Sequence, residues 1–169
     1  MQPLVSIIMG STSDLPVVSK AANFLETLQI PFEMHALSAH RTPHQVEEFA
    51  VGARGRGIKV IIAAAGMAAA LPGVIAALTP VPVIGVPIRS SLDGRDALLS
   101  IVQMPPGIPV ATVGIDGAQN AAILATQILA LTDADIAARL DAWRLTLAEK
   151  IVKASQELST LKTYKYKTN

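Results

Sequence analysis

The 169-residue chain is long enough for one domain with a core that needs no staples, and it carries a formal charge of +1 and no cysteine. That charge leaves no basic field for a nucleic acid, and the missing thiols exclude disulfides, thiolate nucleophiles and thiolate metal sites. Half the residues are apolar and few are aromatic, which suits close-packed parallel strands covered by helices on both faces. The excess of small residues also points to surface buried between subunits. The amino terminus lacks a charged segment followed by an apolar signal core, so a cytoplasmic protein is expected.

Leu4 to Met9 is an apolar run ending at Gly10 and predicts a buried strand; Asp14 to Leu28 then shows helical spacing. Phe32 to Leu37 predicts a second strand, and Thr42-Pro43-His44-Gln45 has the hydroxyl, early proline and amide of a capped helix start. That helix runs to about Arg54 and is closed by Gly55 and Gly57. Lys59 to Ala65 predicts a third strand, about Ala68 to Leu78 a short helix, and Val81 to Val86 a fourth strand. A helix through Ala97 to Gln103 stops at Met104-Pro105-Pro106-Gly107, and Val110 to Ile115 predicts a fifth strand. Helices over about Ala118 to Leu131 and Asp133 to Leu158 finish the chain.

No charged side chain occurs from Val60 to Ile88, a length that could span a bilayer. Gly66, Pro72, Gly73, Pro80, Pro82, Gly85 and Pro87 instead cut the run into pieces the size of strands and a short helix. Alternating strands and helices with short connections predict a single-domain α/β fold, a doubly wound parallel sheet of flavodoxin-like order 2-1-3-4-5 in three α/β/α layers. The domain spans 1–158, with the long last helix included, and 159–169 is a polar tail. That helix, with Trp143, reads as an arm for a neighbouring subunit, or else as a frayed terminus.

In the expected order the chain reverses between strands one and three, which places a ligand crevice where the first three strand-to-helix turns meet. Turn one, Gly10-Ser11-Thr12-Ser13-Asp14, lets backbone approach a ligand at Gly10 and offers Ser11 and Ser13 to phosphate oxygens beside a helix N-terminus. It has neither the Gly-Lys-Ser/Thr of a nucleotide triphosphate loop nor a dinucleotide fingerprint, so a monophosphate fits it better. Asp14 reads either as a helix N-cap or as a carboxylate for ribose hydroxyls.

Turn two, Ser38-Ala39-His40-Arg41-Thr42-Pro43, carries the chain's best proton donor and acceptor in His40. Arg41 offers a forked donor to phosphate or carboxylate, or makes an ordinary surface ion pair. Ser38 can orient the imidazole or the ligand. His35 and His44 are assigned to structure or solvent, and three histidines at scattered spacing do not make a metal site. Turn three, Gly66-Met67-Ala68-Ala69-Ala70-Leu71-Pro72-Gly73, is nearly featureless. It serves as a flat wall for a ring, or only as tight helix-on-sheet packing. Ser100 to Pro105 and Asn120 are further candidates for a polar rim.

Gly-Ser-x-Ser-Asp at 10–14, Ser-Ala-His-Arg-Thr-Pro at 38–43, Leu-Pro-Gly at 71–73 and Ser-Ile-Val-Gln-Met-Pro at 100–105 resemble, in order and spacing, the N5-carboxyaminoimidazole ribonucleotide mutase family of purine biosynthesis. The resemblance covers nearly the whole chain. It implies a cofactor-free isomerase that moves a carboxylate from N5 to C4 of an aminoimidazole ribonucleotide through decarboxylation and recarboxylation, with His40 as the proton shuttle. It also implies that Ser11, Ser13 and Arg41 surround the phosphate and that Asp14 holds the ribose. Gly10, Ser38, Ala39, Gly66, Ala68, Ala69, Ala70 and Leu71 complete the expected substrate-binding set. The family forms octamers with pockets near subunit contacts. One departure stands out: the family's third turn usually reads Ala-Ala-His-Leu-Pro-Gly, and Ala70 takes the histidine's place. Impaired turnover is therefore expected. The competing readings are a carboxylase that uses free CO2, a non-catalytic flavodoxin-like nucleotide binder, and an inactive paralogue.

Overall fold

The strands form one five-stranded, all-parallel sheet in the order β2-β1-β3-β4-β5, in a computed structural model that describes all 169 residues. The strands are β1 Val5–Met9, β2 Phe32–Ala36, β3 Val60–Gly66, β4 Val83–Ile88 and β5 Ala111–Thr112. The helices are α1 Leu15–Thr27, α2 Pro43–Ala53, α3 Leu71–Leu78, α4 Arg95–Val102, α5 Ala118–Ala130 and α6 Ala134–Ser159. A single 3-10 turn, Thr12–Asp14, precedes α1. The expected fold class and strand order are therefore those observed.

Strand alternation divides the core in two. Val5, Ile7 and Met9 of β1 with Val60, Ile62 and Ala64 of β3 face α1, α5 and the start of α6. Ile8, Ile61, Ala63 and Ala65 face the other way, onto α2, α3 and α4. Covering both faces explains why β3 and β4 read as unbroken apolar runs and why β1 is interrupted only by Ser6, whose buried hydroxyl donates to Glu33. Gly85 of β4 has no room for a side chain, because a Cβ there would strike Ile101 of α4. Pieces of the uncharged stretch from Val60 to Ile88 become β3, α3 and β4, and no helix is long and apolar enough to cross a membrane.

Several boundaries differ from expectation for local reasons. β4 begins at Val83 rather than Val81 and carries Pro87 near its end; Pro87 lacks an N–H, but its carbonyl accepts from Asp116 N at 2.8 Å. β5 pairs over two residues only, although Val113 N still reaches Gly85 O at 3.1 Å. α3 starts at Leu71 instead of Ala68 because Met67 adopts φ +55° and accepts a hydrogen bond from Ala69 N, which keeps 67–70 in a turn.

The last helix has two halves. Asp133 caps it through Ile136 N at 2.9 Å, and Ile136 and Leu140 are buried. Trp143 stacks edge-on against Phe24 of α1, with ring centroids 4.8 Å apart and planes at 83°, so it belongs to this chain's own core rather than to an arm. Beyond it, Leu145, Ile151, Val152 and Leu158 are exposed.

Candidate functional site

Turns one, two and three and the turn after β4 converge on one cavity of about 690 Å³ at the carboxyl ends of the strands. Parallel strands in the order β2-β1-β3-β4 make this inevitable, because each delivers its following loop to the same edge of the sheet. Gly10, Ser11, Ser13 and Asp14 line the cavity from the first turn, Ser38, Ala39, His40 and Arg41 from the second, and Gly66, Ala68, Ala69, Ala70 and Leu71 from the third.

In turn one, Ser11 accepts from Ser13 N at 3.3 Å and from the Ser13 hydroxyl at 2.9 Å, closing the 3-10 turn on itself. The Ser13 hydroxyl also lies 3.4 Å from Asp14 Oδ1. Asp14 stands at the N-cap position of α1, yet its carboxylate makes no capping hydrogen bond. The capping alternative therefore does not account for it. Burial pushes its carboxyl above the usual range, opposed by the Ser13 hydroxyl, the Ser11 backbone and the charge of Arg41. Gly10 leaves open space where a side chain would stand.

Turn two is tied by its own polar groups. Thr42 Oγ1 accepts from Ser38 N at 2.9 Å and donates to Ser38 O at 3.1 Å, so the hydroxyl expected to cap α2 closes the loop instead. Arg41 N donates to Ser38 Oγ at 3.2 Å, and Arg41 Nη2 donates to Gly10 O at 2.8 Å. Arg41 thus bridges the first two turns and does not form a surface ion pair. His40 is exposed on the cavity wall between these fixed points.

Turn three supplies shape. Ala69 and Leu71 are buried, Ala68 is exposed, and Ala70 is partly buried just before α3. A Cβ on Gly66 would come within 3.2 Å of Ser90 Oγ, so the third and fourth turns are pressed together.

Not every candidate is present. Ser100 to Pro105 and Asn120 lie outside the cavity lining; Ser100 Oγ donates to Asp96 O at 2.7 Å within α4. His35 and His44 are also outside it, and His35 Nε2 sits 3.3 Å from Glu33 Oε1. No group of acidic or histidine side chains is arranged to hold a metal. Sequence reasoning placed Met67 in the third turn without counting it among the binding residues, and it missed Ala65, Ile88, Arg89 and Ser90, which also line the cavity. The rule that located the first three turns, the carboxyl end of a parallel strand beside the switch point, extends to β4 and would have found the last three.

Fold and cavity together define a doubly wound α/β protein with a ligand-sized crevice at the switch point of its sheet. The chain belongs to the AIR carboxylase family, whose model matches residues 4–150. It is 62% identical over 143 residues to the N5-carboxyaminoimidazole ribonucleotide mutase of Pyrococcus abyssi, covering 84% of this chain and 82% of that protein. It is 54% identical to the mutase of Bacillus subtilis, over 94% of this chain and 99% of that one. The phosphoribosylaminoimidazole carboxylase of Saccharomyces cerevisiae is 51% identical over 95% of this chain, which spans only 28% of the yeast protein. Among solved structures, Treponema denticola PurE superposes with a TM-score of 0.85 at 34% identity, over 92% of this chain and 98% of that one.

Proposed function

We propose that the chain is an N5-carboxyaminoimidazole ribonucleotide mutase, an isomerase of purine biosynthesis. The observation that carries the reading is the convergence of His40, Asp14 and the Ser11–Ser13 pair on one small cavity with an apolar third wall. High identity to curated mutases over nearly full length supports it.

Ser11, Ser13 and Arg41 cradle the 5′-phosphate, with the two hydroxyls exchanging their mutual hydrogen bond for phosphate oxygens. Asp14 accepts from the ribose hydroxyls, and the base lies against Gly66 and Ala68 to Ala70. His40 donates its proton to N5 as the N5–carboxylate bond breaks, releasing CO2 and neutral aminoimidazole ribonucleotide. C4 attacks the CO2 held beside it, and the neutral His40 takes the C4 proton as aromaticity returns. The imidazole ends as it began. Retaining CO2 against the ring makes recapture effectively intramolecular, and excluding water protects the carbamate.

The test is conversion of N5-carboxyaminoimidazole ribonucleotide by purified protein in CO2-free buffer, followed by ultraviolet absorbance of the product. Turnover independent of added bicarbonate is expected. Product formed only from aminoimidazole ribonucleotide and CO2 would identify a carboxylase instead, the activity named for the yeast relative. A nucleotide binder without catalysis would show neither reaction.

The protein also works, in this reading, as a homo-oligomer, with eight subunits as the resemblance implies. The support on the molecule is the outer half of α6, where Leu145, Ile151, Val152 and Leu158 are exposed on a helix that has left its own core. Sedimentation of the chain cut after Lys150 checks this: subunit dissociation with retained secondary structure is expected.

A further inference from the structure

The cavity holds a second guanidinium that the proposed chemistry has not used. Arg89 follows β4 directly and lines the cavity with Ile88 and Ser90. Asp116 clamps it: Arg89 N donates to Asp116 Oδ1 at 2.9 Å, and Arg89 Nε lies 3.4 Å from Asp116 Oδ2. Asp116 is itself fixed, with its N–H on Pro87 O at 2.8 Å and its backbone in the left-handed region at φ +57°. The clamp takes the inner edge of the fork and leaves the two terminal nitrogens without a hydrogen bond inside the chain.

Arg41 and Arg89 stand on opposite sides of the sheet's reversal point. Arg41 leans onto Gly10 at the end of β1, and Arg89 rises from β4, two strand spacings or about 10 Å across the sheet. The flat third turn lies between them, pressed against Ser90 at Gly66. That separation is of the order of the distance between the phosphate and the base substituent of a nucleotide. The substrate in the proposed reaction carries two anions, and with Arg41 assigned to the phosphate the second fork is left for the other.

We propose that Arg89 binds the migrating carboxylate and so selects carboxylated over uncarboxylated aminoimidazole ribonucleotide, with Asp116 as its positioning residue. This rests on the mutase reading. A forked donor presents two parallel N–H groups to a carboxylate before and after its transfer, which keeps CO2 oriented without taking part in proton transfer. A lysine at this position would supply charge without the fork.

Calorimetric titration of the full-length assembled protein with two ligands tests the assignment: the carboxylated product, and aminoimidazole ribonucleotide, which lacks the carboxylate. Arg89→Ala should weaken the first by about 10- to 100-fold and leave the second essentially unchanged. Arg89→Lys should recover part of the loss. Asp116→Asn, which keeps a residue tolerant of the left-handed backbone, should show a smaller loss with the same selectivity and an unchanged far-ultraviolet spectrum. Equal weakening of both ligands would place Arg89 on the phosphate and overturn the proposal, and so would unchanged binding of both. Wild-type protein that binds and turns over substrate while Arg89→Ala shows no selectivity change refutes this assignment alone. Wild-type protein that binds neither ligand refutes the mutase reading and this inference with it.

Discussion

Arg41 Nη2 donates to the carbonyl of Gly10 at 2.8 Å, so a side chain of the second turn holds the backbone of the first. The same guanidinium lies close enough to Asp14 to lower its carboxyl, against the dominant effect of burial. One cation therefore sets the spacing between the hydroxyl pair of turn one and the imidazole of turn two. Replacing Arg41 by Ala should raise KM about 10- to 100-fold through loss of the proposed charged hydrogen bond to phosphate. It should lower kcat as well, because the two turns are no longer tied. Lysine should restore part of KM and little of kcat; steady-state kinetics on the three proteins checks both.

His40→Asn keeps a polar side chain on the cavity wall and removes the imidazole proposed to carry the proton. Turnover should fall by about 10²- to 10⁴-fold while nucleotide affinity changes little. Kinetics paired with calorimetry on one preparation reads both quantities. Retained turnover would remove His40 from the chemistry, and lost affinity would make it a binding residue.

Asp14 carries a pH signature of known sign. Burial raises its folded pKa above the unfolded value, so the folded state holds that proton more tightly than the unfolded chain does. The ionised carboxylate opposes folding fully at pH above the folded value, and the opposition fades as pH falls through that value and is gone below the unfolded one. Asp14→Asn should therefore melt at a higher temperature than the natural protein at pH 7, and the gain should shrink towards pH 3–4, the ordinary carboxylate range. Its nucleotide affinity should drop. A lower melting temperature at neutral pH would show that hydrogen bonds to the carboxylate outweigh its burial.

Ala70 occupies the position where the resemblance leads one to expect histidine, partly buried on the cavity wall at the start of α3. Ala70→His can enter the cavity without disturbing the buried Ala69 and Leu71 beside it. Turnover should rise, with the melting temperature within a few degrees of the parent. Unchanged turnover would show that the single imidazole of His40 suffices in this pocket.

Much of the site was legible because its signals are local. Gly10, the hydroxyls beside it and the imidazole of turn two sit where apolar runs stop, and the parallel sheet brings such stops together. What eluded the sequence depended on tertiary choices. Thr42 has the spacing of a cap, but its hydroxyl finds both polar groups of the Ser38 backbone closer at hand. Trp143 sits on a helix too long for one sheet, yet Phe24, far away in sequence, captures it. Pro87 looks like a breaker just past the fourth strand, whereas it is accommodated inside β4 near its end. Arg89 hides behind the same misplacement: a fourth strand that ends at Val86 leaves it without a place at a strand's carboxyl end, whereas β4 runs to Ile88.

The packing of α1 on α5 has a consequence for how the molecule comes into being. Val18, Ala21 and Leu25 of the first helix meet Ala118, Ala121 and Ala125 of the fifth, more than ninety positions later. During synthesis α1 stays half covered until α5, in the final third of the polypeptide, has left the ribosome, so the turn ahead of α1 gains its full support late.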